Sequence, residues 1–430
     1  MRIGHPGHTE DVVLDTIDLA DPELYASGAP HRLWHAMRER APVHRQILPD
    51  GRSFWSVTSY RDVNDVLRDH TRYTSQRGTL LSILGSADPA GGLMMAASDP
   101  PVHTALREPM GKALSARALA HWEPRIRDVV LRLLAPLADG AMDLAQAGTA
   151  FPMAFTGALM GLPEEDWARL ARLTTMAIAP EDPAFQEGGG HTTLLSAHHE
   201  LFEYFAQRVR AVSASPGDDL TGFLLRMKAD GRPLRQDELV YNCYSLLLGA
   251  NVTTPHALAG TVVALMEHPD QYRRLRAEPA LVASAVEEGL RWSSPANHFM
   301  RYAVEDTEQS GVRIARGDAV VAWLGSANRD ASVFHDPYRF AVDRSPNRHV
   351  AFGFGPHYCI GAPLARIALR VMFEEIIRHV AEFRPAGPVR HLKSNFVAGI
   401  SSLPVTAVLH DGAAEALAAR TPLPRAEVRA

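Results

Sequence analysis

The sequence predicts a mainly α-helical fold with a small β subdomain. Apolar residues recur at spacings of three and four from Trp122 to Leu137, from Asp166 to Ile178 and from about Thr193 to Val212, the period of helices with one buried stripe. From about Gln236 to Met266 the stretch is too rich in apolar residues for a surface helix and should cross the core. Alternation with a period of two is confined to Ser53–Thr58 and to Val312, Ile314, Val320 and Ala322, the last four read as a strand pair around the Arg316-Gly-Asp turn.

In chain order, residues 1–30 are polar and irregular, and a first helix runs from about His31 to Arg40. The strand at Ser53 leads into helical spacing over Tyr60–Leu67. Residues 74–98 form a long connection containing Gly78, Gly85, Gly91 and Gly92; a loop of that length inside a compact chain is usually functional or disordered. Leu80, Leu81, Ile83, Leu84, Met94 and Met95 make it apolar enough to cover a pocket or simply to pack. His103 and Arg107, four apart, share a face of the next helix, and Pro109 predicts a kink or irregular turn in it. Pro180–Gly190 ends in three glycines and joins two helices as a hinge or an exposed loop. Within the long apolar helix, Gly249-Ala250-Asn251-Val252-Thr253-Thr254 precedes Pro255, which removes a donor and frees a carbonyl near Asn251. Glu288 and Arg291 sit three apart on a later helix that Pro295 ends.

Composition narrows the function. Among 430 residues, 44 are Lys or Arg and 49 Asp or Glu, a net charge of −5 that gives no footprint for nucleic acid. No apolar run approaches the roughly 20 residues of a membrane span, and the first fifteen residues lack a signal-peptide core. Cys243 and Cys359, far apart, argue against a disulfide framework and fit a reducing cytoplasm. With no CxxC and no HExxH, a zinc site is not expected. The expectation is a cytoplasmic protein with neither membrane nor nucleic acid as partner.

The most informative stretch is Phe352-Gly-Phe-Gly-Pro-His-Tyr-Cys-Ile-Gly361. Three glycines and a proline make a shaped loop, and helical spacing follows it. Backbone N–H groups and a helix N-terminus converging on Cys359 would lower its thiol pKa and favour a metal-binding thiolate, while the glycines admit something flat. Alone, a buried structural cysteine would read the same way. The decapeptide, however, resembles the ligand loop of the cytochrome P450 family, Phe-x-x-Gly-x-x-x-Cys-x-Gly, with Phe352, Gly355, Cys359 and Gly361 in every fixed place. Further family-like motifs follow in the same order over residues 30–408: His103-x-x-x-Arg107, the Gly249–Thr254 segment and Glu288-x-x-Arg291.

The resemblance implies a P450 fold, with residues 31–408 as one catalytic unit and 409–430 as a tail. It implies haem b (iron protoporphyrin IX) with Cys359 as thiolate ligand to the metal. His103, Arg107, Arg301 and His357 would hold the propionates, and Phe352, Gly353 and Gly361 would shape the loop. It implies that Glu288, Arg291 and Arg344 form a buried network, that Phe396–Pro404 is a hairpin closing the pocket, and that residues 74–98 cover it. Ala250 would leave room over the iron and Thr253 would steer protons. Here the chain departs from the pattern: Val252 stands where the family has an acid. Three routes stay open, namely Asn251 with ordered water, polar groups of the substrate, or chemistry such as radical ring closure or coupling in place of hydroxylation. Implied partners are a mid-sized natural-product substrate, for which Asn251, Asn297 and His298 are possible polar anchors, and a ferredoxin with its ferredoxin reductase. Arg344, Arg348, Arg366 and Arg370 would form a basic face for that acidic ferredoxin, or pair locally. A peroxide-using or non-oxygenating haem-thiolate enzyme is the alternative.

Overall fold

The computed structural model describes residues 7–27 and 30–424. Helix α1 (Pro30–Arg40) leads into a hairpin of β1 (Val43–Ile47) and β2 (Ser53–Val57). The Ser59 hydroxyl accepts the Asp62 N–H and starts α2 (Tyr60–Arg68). With β3 (Tyr73–Thr74), β4 (His298–Ala303) and β5 (Ala319–Trp323), these strands make a five-stranded sheet in the order β1-β2-β5-β4-β3. Only β2 and β5 run parallel. The expected pair around Arg316-Gly-Asp is not formed: Val312–Ile314 pairs with Thr307–Gln309, while β5 pairs with β2 and β4. All five residues of β5 are buried, so it is a central strand needing a neighbour on each edge, which a period of two cannot signal.

The helical body contains α3 (Val102–Ala113), α4 (Glu123–Leu134), α5 (Leu144–Leu159), α6 (Trp167–Ile178) and α7 (Gly190–Val212), then α8 (Gln236–Asn251), α9 (Thr254–Glu267), α10 (Val282–Ser293) and α11 (Ala362–His379). Pro109 lies inside α3 without ending it. The stretch expected as one helix is two: α8 stops at Asn251 and α9 starts at Thr254, leaving Val252 and Thr253 in a turn. Pro255 accounts for the break. In the first turn of α9 it gives up a donor that would have been unpaired anyway, but it offers nothing to the Asn251 carbonyl behind it. Contrary to the expectation that no run approaches a span, Gln236–Glu267 is long and apolar enough to cross a membrane by composition. It is a core element instead, flanked by α5, α7 and α10, with 61% of its most apolar window buried.

The N-terminal segment expected to be irregular carries a short helix, Pro22–Ala26, and the expected C-terminal tail carries another, Ala413–Ala418, docked through fully buried Leu417. Residues 74–98 are packed down. Leu81, Leu84 and Met95 are buried, and side chains from other elements hold the backbone. Asn242 on α8 accepts from the Met95 N–H at 3.0 Å and donates to the Leu93 carbonyl at 3.1 Å. His298 Nε2 accepts from Leu81 N–H at 3.2 Å, and the Tyr302 hydroxyl accepts from Gly85 N–H at 3.1 Å. Phe396–Pro404 is tied back to the body: Val397 bridges Ala296, and Ile400–Ser402 pairs with Arg390–His391.

The network behind the cysteine loop forms as the resemblance implied. Arg291 donates to Glu288 through Nε (2.7 Å) and Nη2 (2.8 Å), and Arg344 Nε reaches the same carboxylate at 3.0 Å. Ala341 N–H and Asn347 Nδ2 add to it. Glu288 and Arg291 are fully buried, so removing the carboxylate charge leaves two guanidiniums uncompensated. Glu288→Gln is therefore expected to cost about 3–5 kcal/mol in denaturant unfolding; a loss under about 1 kcal/mol would contradict a structural role for this carboxylate.

Candidate active site

The cysteine loop is shaped by left-handed backbone at Gly353 (φ +73°) and Gly355 (φ +71°). Gly355 also packs tightly on α2, where a Cβ would lie 2.7 Å from Arg68 Cα and 2.9 Å from the Leu67 carbonyl oxygen. Cys359 N–H donates to the Phe352 carbonyl at 2.8 Å, closing the loop. Gly361 caps α11, and a Cβ there would stand 3.8 Å from Cys359 Sγ. The N–H groups of Gly361 and Ala362 face the sulfur and act to lower its pKa, while Ala362 N–H donates to the Cys359 carbonyl at 3.3 Å. The expected depression of the thiol pKa does not result. Burial pushes it up and outweighs those N–H groups, Arg107 and Arg366, which pull it down. A metal cation bound to the sulfur would favour the thiolate against that burial.

Beside the loop lies a cluster of nitrogen bases. His103 and Arg107 project from α3, Arg301 from β4 and His357 from the loop; the two imidazoles have centroids 4.3 Å apart. Burial first, with neighbouring cations adding to it, pushes His103 down to about 4 and His357 down to about 2. His103 is 2% exposed, and its Nε2 is buried without a partner. Arg301 is 3% exposed, donates to the Met300 carbonyl at 2.8 Å, and is lowered to about 10 by burial. Arg107 donates to the Tyr358 carbonyl. The anion that acts on Arg301, Asp99, is engaged by Thr74 Oγ1 and by Ser75 N–H. Buried donors in excess of acceptors, next to a glycine-lined cysteine, fit a flat group carrying two carboxylates, as haem does.

At the turn between α8 and α9, Asn251 is buried; its Nδ2 donates to the Leu247 carbonyl at 2.8 Å, and its Oδ1 has no partner. Thr253 Oγ1 donates to the Gly249 carbonyl over a long 3.4 Å, a weak bond from which the hydroxyl can turn away. Val252 is buried, and Ala250 partly so.

Other candidates fall elsewhere. Asn297 donates to the Asn395 carbonyl at 3.2 Å, and His298 bonds both Leu81 and Asn395, so neither is left over as a pocket anchor. The four-arginine face also contracts. Arg344 belongs to the Glu288 network, Arg366 pairs with Glu287, and Arg370 pairs with Glu123 and Glu374; Arg348 is exposed. Reasoning from sequence passed over Asn242, Asp99 and Glu287. Glu287 adjoins the recognised Glu288, but nothing in its spacing separates the two carboxylates.

A family model described as Cytochrome P450 matches residues 191–384. Linalool 8-monooxygenase of Pseudomonas putida is 33% identical over 402 residues, covering 91% of this chain and 98% of that protein. Cytochrome P450 NovI of Streptomyces niveus is 33% identical over 398 residues, covering 91% and 96%. Among solved structures, P450 OxyD, involved in the biosynthesis of vancomycin-type antibiotics, is similar with a TM-score of 0.83 and 34% identity, over 92% of this chain and 100% of that one.

His298, fully buried and held down to about 4 by burial, ties loop 74–98 to β4 while neutral. An unfolded histidine titrates near 6.5, so as pH falls towards 4 the unfolded state takes up the proton first and stability declines. His298→Gln is expected to make the slope of unfolding free energy against pH shallower by up to about 1.4 kcal/mol per pH unit in that window. An unchanged slope would show that His298 does not resist protonation.

Proposed function

The chain belongs to the cytochrome P450 family, and on that premise we propose that it oxidises a mid-sized natural-product intermediate by C–H abstraction, ending in hydroxylation or in radical ring closure or coupling. The family activity is haem-dependent monooxygenation of a small molecule with electrons from redox partners. Support for the finer reading comes from the likeness to a P450 of antibiotic biosynthesis and from the apolar, packed-down cover formed by residues 74–98.

The assignment of site residues is supported by the buried Arg301 guanidinium beside half-buried Arg107 and the neutral imidazoles of His103 and His357, a set with more donors than acceptors. Cys359 is the metal ligand; His103, Arg107, Arg301 and His357 hold the propionates; Phe352, Gly353 and Gly361 keep the loop in shape. When bound, haem supplies reductive activation of dioxygen, and donation from the thiolate favours O–O cleavage. The chain supplies room and protons. Ala250 has the smallest side chain able to keep a helical backbone in place. Asn251 Oδ1, buried and unpaired, accepts from a water, and that water passes a proton towards the loosely held Thr253 hydroxyl. Val252 holds no proton and serves as packing.

Electrons come from an acidic ferredoxin served by a ferredoxin reductase. It docks on the outer side of the cysteine loop, where an open groove of about 710 Å³ runs between α3 and Gly355-Pro356, with Arg107, Glu108 and Lys112 along it. Residues 31–408 act as one catalytic unit in the cytoplasm, where Cys243 and Cys359 stay reduced.

Thr253→Ala is expected to lower product formed per electron pair by at least about tenfold and to release the difference as hydrogen peroxide; unchanged coupling would overturn the relay. The missing acid at Val252 favours one second reading, a peroxide-driven enzyme. Turnover on peroxide alone at the rate reached with ferredoxin and its reductase would replace the first reading with the second. Charge reversal at Lys112 is expected to raise the ferredoxin concentration needed for half-maximal reduction several-fold, more so at low salt. Unchanged reduction kinetics would move the docking face elsewhere.

A further inference from the structure

Glu287, next to Glu288 in sequence, takes no part in the Glu288 network. Arg366 grips it bidentately, Nε to Oε1 at 2.7 Å and Nη2 to Oε2 at 2.8 Å, and His349 Nε2 lies 3.0 Å from Oε2. The same guanidinium lies over the Phe352 ring, 4.6 Å from its centroid, and donates to the Tyr358 hydroxyl at 2.9 Å. These contacts bracket the metal-ligand loop. The Phe352 carbonyl receives the Cys359 N–H, and Tyr358 immediately precedes Cys359. His349 adds a third attachment, its Nδ1 accepting from Ala351 N–H at 3.2 Å. One ion pair between α10 and α11 thus holds the loop at both ends.

The pair also sets charge. Arg107 and Arg366 are the two cations whose fields act on the Cys359 sulfur. Arg107 meets a neutral carbonyl there, so its charge is not cancelled by that contact. Arg366 is matched by Glu287, whose carboxyl is pulled down to about 2 by hydrogen bonds from Arg366 and His349 despite its burial. Glu287 therefore stays ionised throughout the range in which the enzyme would work.

We propose that Glu287 is a positioning and tuning residue that cancels the Arg366 charge beside the thiolate and so sets the reduction potential of the haem; this rests on the haem-thiolate reading above. When one electron from a donor converts ferric to ferrous iron, the site gains one negative charge. Uncompensated positive charge nearby stabilises the reduced form. Removing the Glu287 charge must then favour reduction, and removing the Arg366 charge must oppose it.

The test is reductive titration of the haem-loaded enzyme with dithionite under redox mediators, with the Soret band followed in each variant. Glu287→Gln is expected to shift the ferric–ferrous equilibrium about tenfold towards ferrous, a rise of about 59 mV for one electron. Arg366→Gln is expected to shift it the other way, and the double variant to return near the wild-type value. A purely mechanical clamp predicts something different: both single variants loosen the loop and move the potential in one direction, and Arg366→Lys fails to restore it. Potentials unmoved in both single variants, with a thiolate-type Soret band retained, overturn the proposal. If Glu287→Gln does not load haem, Glu287→Asp, which keeps the charge, is expected to titrate like wild type, and Arg366→Gln then decides the sign. Absence of a thiolate-type band in the wild-type protein is the separate failure of the haem-thiolate reading.

Discussion

Buried nitrogen groups without enough acceptors are the constraint on which the rest depends. Arg301 is an almost wholly buried guanidinium that donates to its own neighbour's carbonyl, and His103 ends in a buried nitrogen with no partner. Isolated in protein, such groups would be paid for with several kcal/mol of desolvation. They are tolerable if an anion completes them. A flat cofactor carrying two carboxylates, with Cys359 as ligand to its metal, would meet that demand from three elements at once: α3, β4 and the loop before α11. The fold can be seen as the means of bringing those elements to one place. The Glu288 network fixes the chain behind the loop, and Gly355 lets the loop sit directly on the end of α2.

A second constraint acts from the opposite side. The α8–α9 spine has to cross the core and still present polar groups at its centre. Pro255 reconciles the two by ending one helix and starting the next, so the Asn251 carbonyl and the Thr253 hydroxyl are released from full helical pairing where a reaction would need them. At Val252 this turn lacks the acid of the family pattern, and the adjacent Asn251 Oδ1 is a buried polar atom without a partner. On the relay proposed above, catalytic protons would pass through water held by an amide and not through a carboxylate.

Much of this was legible in the sequence because it is local. The glycines of Phe352–Gly361 dictate a loop that only a few conformations satisfy, His103 and Arg107 share a helix face by spacing alone, and Pro255 announces a distortion, though not that one helix would become two. What escaped was decided between elements. The alternation at Val320 and Ala322 gives a strand but not its partners, which come from β2 and β4. His298 has the position of a pocket residue, yet both its nitrogens are taken by backbone groups about 100 and 200 residues distant. Glu287 and Glu288 are adjacent and chemically identical, but helical geometry turns them towards different arginines. The thiol pKa went astray for a similar reason: N–H groups and arginines can be read from the motif, but burial, the larger effect, belongs to the folded molecule.

The most direct test of the central assignment is the absorption spectrum of the reduced, carbon-monoxide-bound protein, compared with that of Cys359→Ser. The account predicts a strongly red-shifted Soret band in the wild type that is lost in the variant. A band at the ordinary histidine-haem position in the wild type, or one that survives loss of the sulfur, would contradict it.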